Sequence, residues 1–405
     1  MARIVLGVGG GIAAYKVCEL LRLFTEAGHT VRVVPTAAAL RFVGAPTWAA
    51  LSGQPVAEDV WSDVHEVPHV RIGQQADLVV VAPATADLLA RAATGRADDL
   101  LTNTLLTARC PVLFAPAMHT EMWEHPATVA NVATLRRRGA LVLDPAVGRL
   151  TGADSGRGRL PEPQELHAVA DRVLRRGDAA PDLVGRRVVV TAGGTREPVD
   201  PVRFIGNRSS GKQGYAFARA AAARGATVTL IAANASLPDP AGVEVVTVET
   251  TEELRKATVA AAAGADAVVM AAAPCDFRPH EYANAKIKKN GDSPVLRLVA
   301  TPDIAAEVGA GKPAGQLLVI FAAETATGAE AVDNARGKRL RKRADLVVLN
   351  EVGPDGSGRQ RAFGTDTNAA TVICPDDSVT ELGPRAKDDL ADAVLDLVKP
   401  HLARR

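Results

Sequence analysis

Short apolar runs, mostly of Val, alternate along the chain with longer Ala- and Leu-rich stretches of helical spacing. "RIVLGV", "VRVVPT", "ADLVVVAPA", "PVLFAPA" and "ALVLDP" come first. A strand buried on both faces reads as a continuous apolar run, and alternation at this spacing gives parallel neighbours joined by right-handed crossovers. The pattern breaks at "RRGDAAPDLVGR", where Gly, Pro and charge replace apolar periodicity. It restarts with "RRVVVTAGG", "ATVTLIAAN", "ADAVVMAAAP", "LLVIFAAE", "ADLVVLN" and "ATVICP". Two α/β domains are predicted, each a doubly wound, mainly parallel sheet, over residues 1–176 and 187–405 with a linker at 177–186. The segment "GRLTGADSGRGRLPEP", ahead of a helix ending near Arg176, reads as a mobile loop.

Composition agrees with that class. The 405 residues exceed what one core fills. Hydrophobic content is 47% with 3% aromatic, which means cores of Ala, Val and Leu. Lys plus Arg number 47 against 46 Asp plus Glu, so no global field points to nucleic acid or a membrane surface, and an anionic ligand needs local features. Cys18, Cys110, Cys275 and Cys374 stand far apart without a CxxC pair or a nearby His, as reduced thiols do. The opening "MARIVLGVGGG" enters a strand-like run without the features of a secretion signal, and no run approaches membrane-spanning length. A cytoplasmic chain is expected.

Two glycine-rich turns carry candidate chemistry. Gly9, Gly11 and Ala14 fit G-x-G-x-x-[G/A] between a strand and a helix, and the backbone N–H groups from Gly9 through Gly10 and Gly11 to Ile12 suit a phosphate. Such a turn serves packing alone about as often. A dinucleotide site also wants an acidic residue ending the second strand, whereas this chain has Thr36, so a mononucleotide such as FMN is favoured. "APATAD" and "APAMH" each follow an apolar strand, which puts Thr85, Ala86 and Asp87 at the same sheet edge. Farther on, "GNRSSGKQG" is almost a phosphate loop, but Gln213 replaces the magnesium-binding hydroxyl and the loop does not follow directly on a strand. What survives is a helix-opening anion site at Ser209, Ser210 and Gly211. "NAKIKK" and "GKRLRKRAD" add Lys286, Lys288 and Lys289, then Lys338 and Lys342 four apart on one helix face. Lysine clusters are commonly solvated surface; two of them near an anion site suggest a polyphosphate.

Over roughly residues 1–175, "GGGIAAYK", the "PH" of Pro68 and His69, "PATAD", "PAMH" and "GADSGRGR" resemble the flavoprotein family of cysteine decarboxylases. That resemblance implies a flavodoxin/Rossmann-like domain in which FMN oxidises a C-terminal cysteine thiol to a thioaldehyde that loses carbon dioxide. It implies His69 as the base. His119 stands where the family commonly has an Asn holding the substrate carboxylate, and Gly152 where it has a proton-donating Cys. Over residues 185–400, "TAGGTREPVDPVRFIGNRSSGKQG", "AAAPCDFRP", "KIKK", "TPDI", "FAAET" and "KRLRKRADLVVLN" resemble phosphopantothenate–cysteine ligases. This second resemblance implies a Rossmann-like ligase domain using CTP, phosphopantothenate and cysteine through an acyl-cytidylate. Asn207 would contact the acyl carbonyl, Asp276 the cytosine amino group, and Lys286 the α-phosphate. Lys338 and Lys342 would hold the outer phosphates, with Phe321 in the same site and Mg2+ accompanying the triphosphate. Trimers through the first domain and dimers through the second are also implied. An NAD-dependent or prenyl-transferring flavin enzyme leaves the Lys clusters and "NRSSGK" unexplained. A flavin-binding regulatory subunit accounts for Gly152 alone.

Overall fold

The structure is a computed structural model and describes residues 1–56, 67–150, 154–177, 181–289, 295–354, 360–361 and 365–402. Packing divides it into two units. One comprises Met1–Gly185 with 222–226 and 239–243; the other comprises Arg186–Ala221, Thr227–Pro238 and Glu244–Arg405.

In the first unit, β1 (Arg3–Val8), β2 (Thr30–Pro35), β3 (Leu78–Ala84), β4 (Val112–Pro116) and β5 (Leu141–Val142) form a parallel sheet of order β2-β1-β3-β4-β5. Its helices are α1 (Ala14–Glu26), α2 (Ala45–Ser52), α3 (Pro68–Gln75), α4 (Ala86–Thr94), α5 (Leu100–Thr107), α6 (Thr120–Glu124), α7 (Pro126–Arg137) and α8 (Pro163–Arg176). Successive strand side chains point to opposite faces, so one apolar run serves two helical layers. Ile4, Leu6, Leu78 and Val80 pack on Leu20 and Phe24 of α1 and Val169 of α8. Val5, Val79, Val81 and Phe114 pack on Leu88 of α4, Leu101 of α5 and Leu135 of α7. Truncating one fully buried member, as in Leu20→Ala, removes roughly 2–5 kcal/mol. The chain goes from β1 to β2 on one side, then crosses to β3 on the other. The ligand-binding switch point of an open α/β sheet therefore falls between the carboxyl ends of β1 and β3.

The segment expected to be a mobile loop is instead an antiparallel hairpin, β6 (Ala146–Arg149) with β7 (Ser155–Arg159). A Cβ at Gly156 would collide with Thr120 Oγ1, and one at Gly158 with the Met118 carbonyl. Glycine weakens an isolated strand, but here it lets β7 lie flat on the turn at 118–120, a tertiary gain that local propensity does not register. Gly152 lies outside the described residues.

The second unit is built on an eight-stranded sheet, its strands β8 (Arg187–Gly193), β11 (Thr227–Ala233), β12 (Val243–Val248), β13 (Ala267–Met270), β16 (Leu317–Glu324), β17 (Leu346–Glu351), β20 (Thr367–Ile373) and β21 (Val379–Ala386). The order is β12-β11-β8-β13-β16-β17-β20-β21, parallel from β11 to β17, with β20 and β21 antiparallel. Small hairpins lie outside it: β9 (Arg196–Pro198) with β10 (Phe204–Gly206), β14 (Phe277–Pro279) with β15 (Leu298–Ala300), and β18 (Gly353–Pro354) with β19 (Gln360–Arg361). The helices are α9 (Lys212–Ala223), α10 (Thr251–Ala262), α11 (Ile304–Gly311), α12 (Gly328–Arg341) and α13 (Lys387–Val398). Val189, Val268, Leu318 and Val347 pack on Leu254 of α10, Ile304 of α11 and Ala331 of α12. The switch point here lies between β8 and β13, because β11 follows on one side and β13 on the other. No helix among the described residues is long and apolar enough to cross a membrane.

Candidate active sites

At the first switch point, Gly9 N–H donates to the Pro83 carbonyl at 3.1 Å, and Gly11 N–H to the Gly9 carbonyl at 3.1 Å. These two amides are spent inside the turn. A Cβ at Gly9 would collide with the Pro83 carbonyl and one at Gly10 with Ala38, so both positions demand glycine for packing, whereas Gly11 faces open space beyond Pro83. Gly11, Ile12, Pro83, Met118 and His119 line a cavity of about 460 Å³ under the β6–β7 hairpin. That is within the ~300–1,000 Å³ of small-molecule sites. Lys16 and Arg159 line it too, and both pair with Glu162, at 3.0 and 2.6 Å.

The other predicted residues have structural partners. Thr36 is buried, and its hydroxyl accepts from Ala39 N–H at 3.2 Å, at the entry to the short 3-10 turn Ala39–Arg41. The hydroxyl proton is left to donate. Thr85 caps α4, accepting from Leu88 N–H at 3.2 Å, and its Cγ2 stands beside the Gly9 backbone. Ala86 opens that helix, but Asp87 turns to Arg91, 3.0 Å away, which also binds Asp98 and Asp99. His119 sits at the cavity between β4 and α6. His69, at the start of α3, is not among the residues lining that cavity; its Nδ1 is buried with no hydrogen-bond partner among the described residues. Burial pushes the Cys18 and Cys275 thiols up, so both stay protonated at neutral pH.

At the second switch point the chain turns at Gly193, whose φ of 83° and lack of a Cβ allow contact with the Ala233 carbonyl. Ala273 N–H donates to Gly193 O at 2.8 Å, and Asn207 Nδ2 donates to the Pro274 carbonyl at 2.8 Å and more weakly to Ala273 O at 3.4 Å. Asn207 is thereby joined to the turn carrying Asp276, whose side chain is exposed. Ser209, Ser210 and Gly211 precede α9, and Gly211 has a φ of 79°. A T-shaped contact of 5.6 Å joins Phe321, on β16, to Phe217 of α9.

The lysines of the last cluster are paired. Lys338 lies 2.6 Å from Glu324 of "FAAET", and Lys342 lies 3.0 Å from Asp303 of "TPDI". Three motifs distant in sequence thus meet through two ion pairs. Partial burial by itself would raise the Asp303 carboxyl, but the Ala306 N–H and the Lys342 ammonium outweigh it and hold it below the ordinary carboxylate range. Lys286, Lys288 and Lys289 are exposed. Among the described residues no three His, Cys, Asp or Glu side chains gather as a metal-ligand set.

Sequence reading missed two carboxylates in "TREPVDPVR". Buried Glu197 accepts from Thr251 N–H at 2.8 Å and from its hydroxyl at 2.7 Å. Thr251 Oγ1 lies 2.9 Å from Thr195 Oγ1, which accepts from Cys275 N–H at 2.8 Å, so Glu197 braces the turn that Asn207 reaches. Buried Asp200 receives N–H bonds from Val202, Arg203 and Ile287. Burial would raise its carboxyl, but those N–H groups and the Arg203 guanidinium hold it below the usual range. The available signal was an acidic pair in a Pro-punctuated segment beside a glycine-rich turn, which does not tell a brace from a solvated loop.

Two parallel α/β units, one with a glycine turn and cavity at its switch point and one with Asn207 bonded across its own and paired lysines at the end of α12, define a flavoprotein-type domain joined to a Rossmann-like ligase-type domain. The family model described as Flavoprotein matches residues 1–175, and the DNA/pantothenate metabolism flavoprotein C-terminal domain matches residues 183–401. The chain is 59% identical over 410 residues to the Coenzyme A biosynthesis bifunctional protein CoaBC of Mycobacterium tuberculosis, covering 99% of this chain and 97% of that one. It is 40% identical over 395 residues to the protein of that name from Bacillus subtilis, covering 97% and 95%. A crystal structure of the C-terminal domain of a CoaBC protein is 33% identical, covering 55% of this chain and 98% of that one with a TM-score of 0.46. The chain belongs to the CoaBC family of bifunctional coenzyme A biosynthesis proteins. It is an enzyme with two activities, phosphopantothenoylcysteine decarboxylase and phosphopantothenate–cysteine ligase.

Proposed function

We propose that the second unit runs the ligation at the β8/β13 switch point, and the observation that carries this reading is the bond from Asn207 to Pro274 across that crevice. The phosphopantothenate carboxylate attacks the α-phosphorus of CTP, the bond to the bridging oxygen breaks, and pyrophosphate leaves. Lys286 neutralises charge at the α-phosphate, while Lys338 and Lys342, each held by its ion pair with Glu324 or Asp303, hold the outer phosphates. Ser209, Ser210 and Gly211 offer donors at the start of α9. Asp276 accepts from the cytosine amino group, and Phe321 flanks the base. The cysteine amine then attacks the acyl carbonyl and CMP leaves; one Asn207 N–H stays on Pro274 while the other, weakly held at 3.4 Å, turns to the developing oxyanion. Mg2+ enters with the triphosphate, whose oxygens and water supply most of its ligands.

The cavity of the first unit suits FMN: Gly11 leaves it open, and Thr36, Thr85 and the amides of Gly10 and Ile12 ring the turn beside it. When bound, the flavin supplies the two-electron oxidation of the substrate thiol and the return of those electrons. His69, whose buried Nδ1 has no partner among the described residues, takes the thiol proton although it does not line this cavity within its own unit, and His119, which does, holds the substrate carboxylate with an N–H donor. We assign the decarboxylase domain to 1–176, a linker to 177–186 and the ligase domain to 187–405, in a cytoplasmic homo-oligomer of trimers through the first domain and dimers through the second. Supplying purified chain with phosphopantothenate, cysteine and CTP should release pyrophosphate and then carbon dioxide, and denaturation should release FMN. ATP replacing CTP at equal rate, or release of FAD, counts against the reading. A chain starting near Asp182 should still ligate.

A further inference from the structure

We propose that Asp200 is a positioning residue of the ligation: its carboxylate clamps the backbone at Ile287 and thereby aims the Lys286 ammonium at the nucleotide phosphates. The inference rests on the role given above to Lys286. Lys286, Lys288 and Lys289 are all exposed, in a segment without helix or strand. A lysine stem has large rotamer freedom, so its direction has to be set by the backbone beneath it.

That backbone is held from 87 residues away. Asp200 Oδ2 accepts from Ile287 N–H at 3.1 Å and from Arg203 Nη1 at 3.1 Å, and the same Nη1 donates to the Ile287 carbonyl at 3.2 Å. One ion pair therefore fixes both polar backbone atoms of the residue next to Lys286. Oδ1 accepts from Val202 N–H and Arg203 N–H, each at 2.8 Å. The fixed side of the clamp is firm, because Asp200 lies between the paired strands β9 and β10, and Glu197 on β9 is bonded to Thr251. A second link, Ala283 N–H to the Val199 carbonyl at 3.0 Å, ties the start of the lysine segment to the same turn. Only an ionised carboxylate accepts four N–H groups; an asparagine would turn its own N–H2 toward two of them. A side chain with no exposed surface thus spends its acceptors on a segment of exposed cations.

The test is a double-mutant cycle in the full chain, read as pyrophosphate released from CTP and phosphopantothenate. Lys286→Ala alone should lower turnover roughly a hundredfold. Asp200→Asn should lower it roughly tenfold to a hundredfold through misplacement of the ammonium, but less than about twofold when Lys286 is already Ala, since coupled residues do not add. Equal losses from Asp200→Asn in both backgrounds, alongside a full Lys286→Ala effect, overturn the clamp and leave Lys286 in place. Unchanged turnover in Lys286→Ala removes the lysine's role and the proposal with it. Should Asp200→Asn not fold, hydrogen exchange of the unaltered chain decides: slow exchange at Ile287 with fast exchange at Lys288 and Lys289 supports the clamp, and fast exchange at Ile287 overturns it.

Discussion

Asn207 reaches 67 residues along the chain to donate from Nδ2 to the Pro274 carbonyl at 2.8 Å, so one side chain joins the glycine-rich turn after β10 to the turn after β13. Asn207→Asp replaces that donor with an oxygen facing two carbonyls. In the proposed ligation the attack on CTP does not use this group, so pyrophosphate release should continue. Amide formation should fall roughly 10²- to 10³-fold, the usual consequence of losing one oxyanion donor. Stopped reactions analysed for acyl-cytidylate and for amide product check this; amide formation at the unaltered rate would end the assignment.

Gly9→Ala should cost the first unit its flavin. The added methyl would meet the Pro83 carbonyl, which neither backbone segment yields easily, and overpacking of that kind costs roughly 1–3 kcal/mol. The expected result is a folded but pale protein with a lower Tm, seen by flavin absorbance and thermal unfolding. Gly11→Ala, facing open space, should keep its Tm while binding flavin less tightly.

His69→Asn should stop decarboxylation before carbon dioxide appears, by roughly 10² to 10⁴ in rate, as loss of a general base does. Each of Cys18, Cys110, Cys275 and Cys374 should tolerate Ser with decarboxylation retained. A loss of that size in Cys110→Ser alone would make that thiol the proton donor absent at Gly152. Carbon dioxide release from preformed phosphopantothenoylcysteine measures both.

Asp303 gives a pH dependence with a definite sign. Its native carboxyl titrates below the ordinary range, so the unfolded chain binds that proton more readily. The stability it contributes is present above the unfolded value and is lost as pH falls through the lower native value. Asp303→Asn keeps a side chain able to cap α11 but removes the pair with Lys342. The fall in Tm of the second unit between about pH 5 and pH 2 should therefore be shallower in the variant. Equal slopes would assign the acid sensitivity to other carboxylates.

Most strands of both sheets were legible from their apolar runs, because a strand buried on two faces leaves little choice of residue type. "RIVLGV" and "RRVVVTAGG" became β1 and β8, and the glycine turns after them fall at the two switch points. The edge strands β12 and β21 were missed, since Val243–Val248 and Val379–Ala386 mix polar and apolar positions and are largely exposed or half exposed. Hairpin β6–β7 was missed because its glycines argue locally against a strand.

The residue types needed at the two sites, and the two parallel folds that carry them, follow from the sequence by itself, since periodicity and turn chemistry are properties of neighbouring residues. Which groups meet was decided by the tertiary structure. Asp87 was expected at the flavin crevice and turned to Arg91, Lys338 and Lys342 found Glu324 and Asp303, and Asp200 took hold of Ile287. A charged side chain settles on whichever partner the fold brings within about 3 Å, and for partners tens of residues apart that distance is set by how the sheet is wound, not by local spacing.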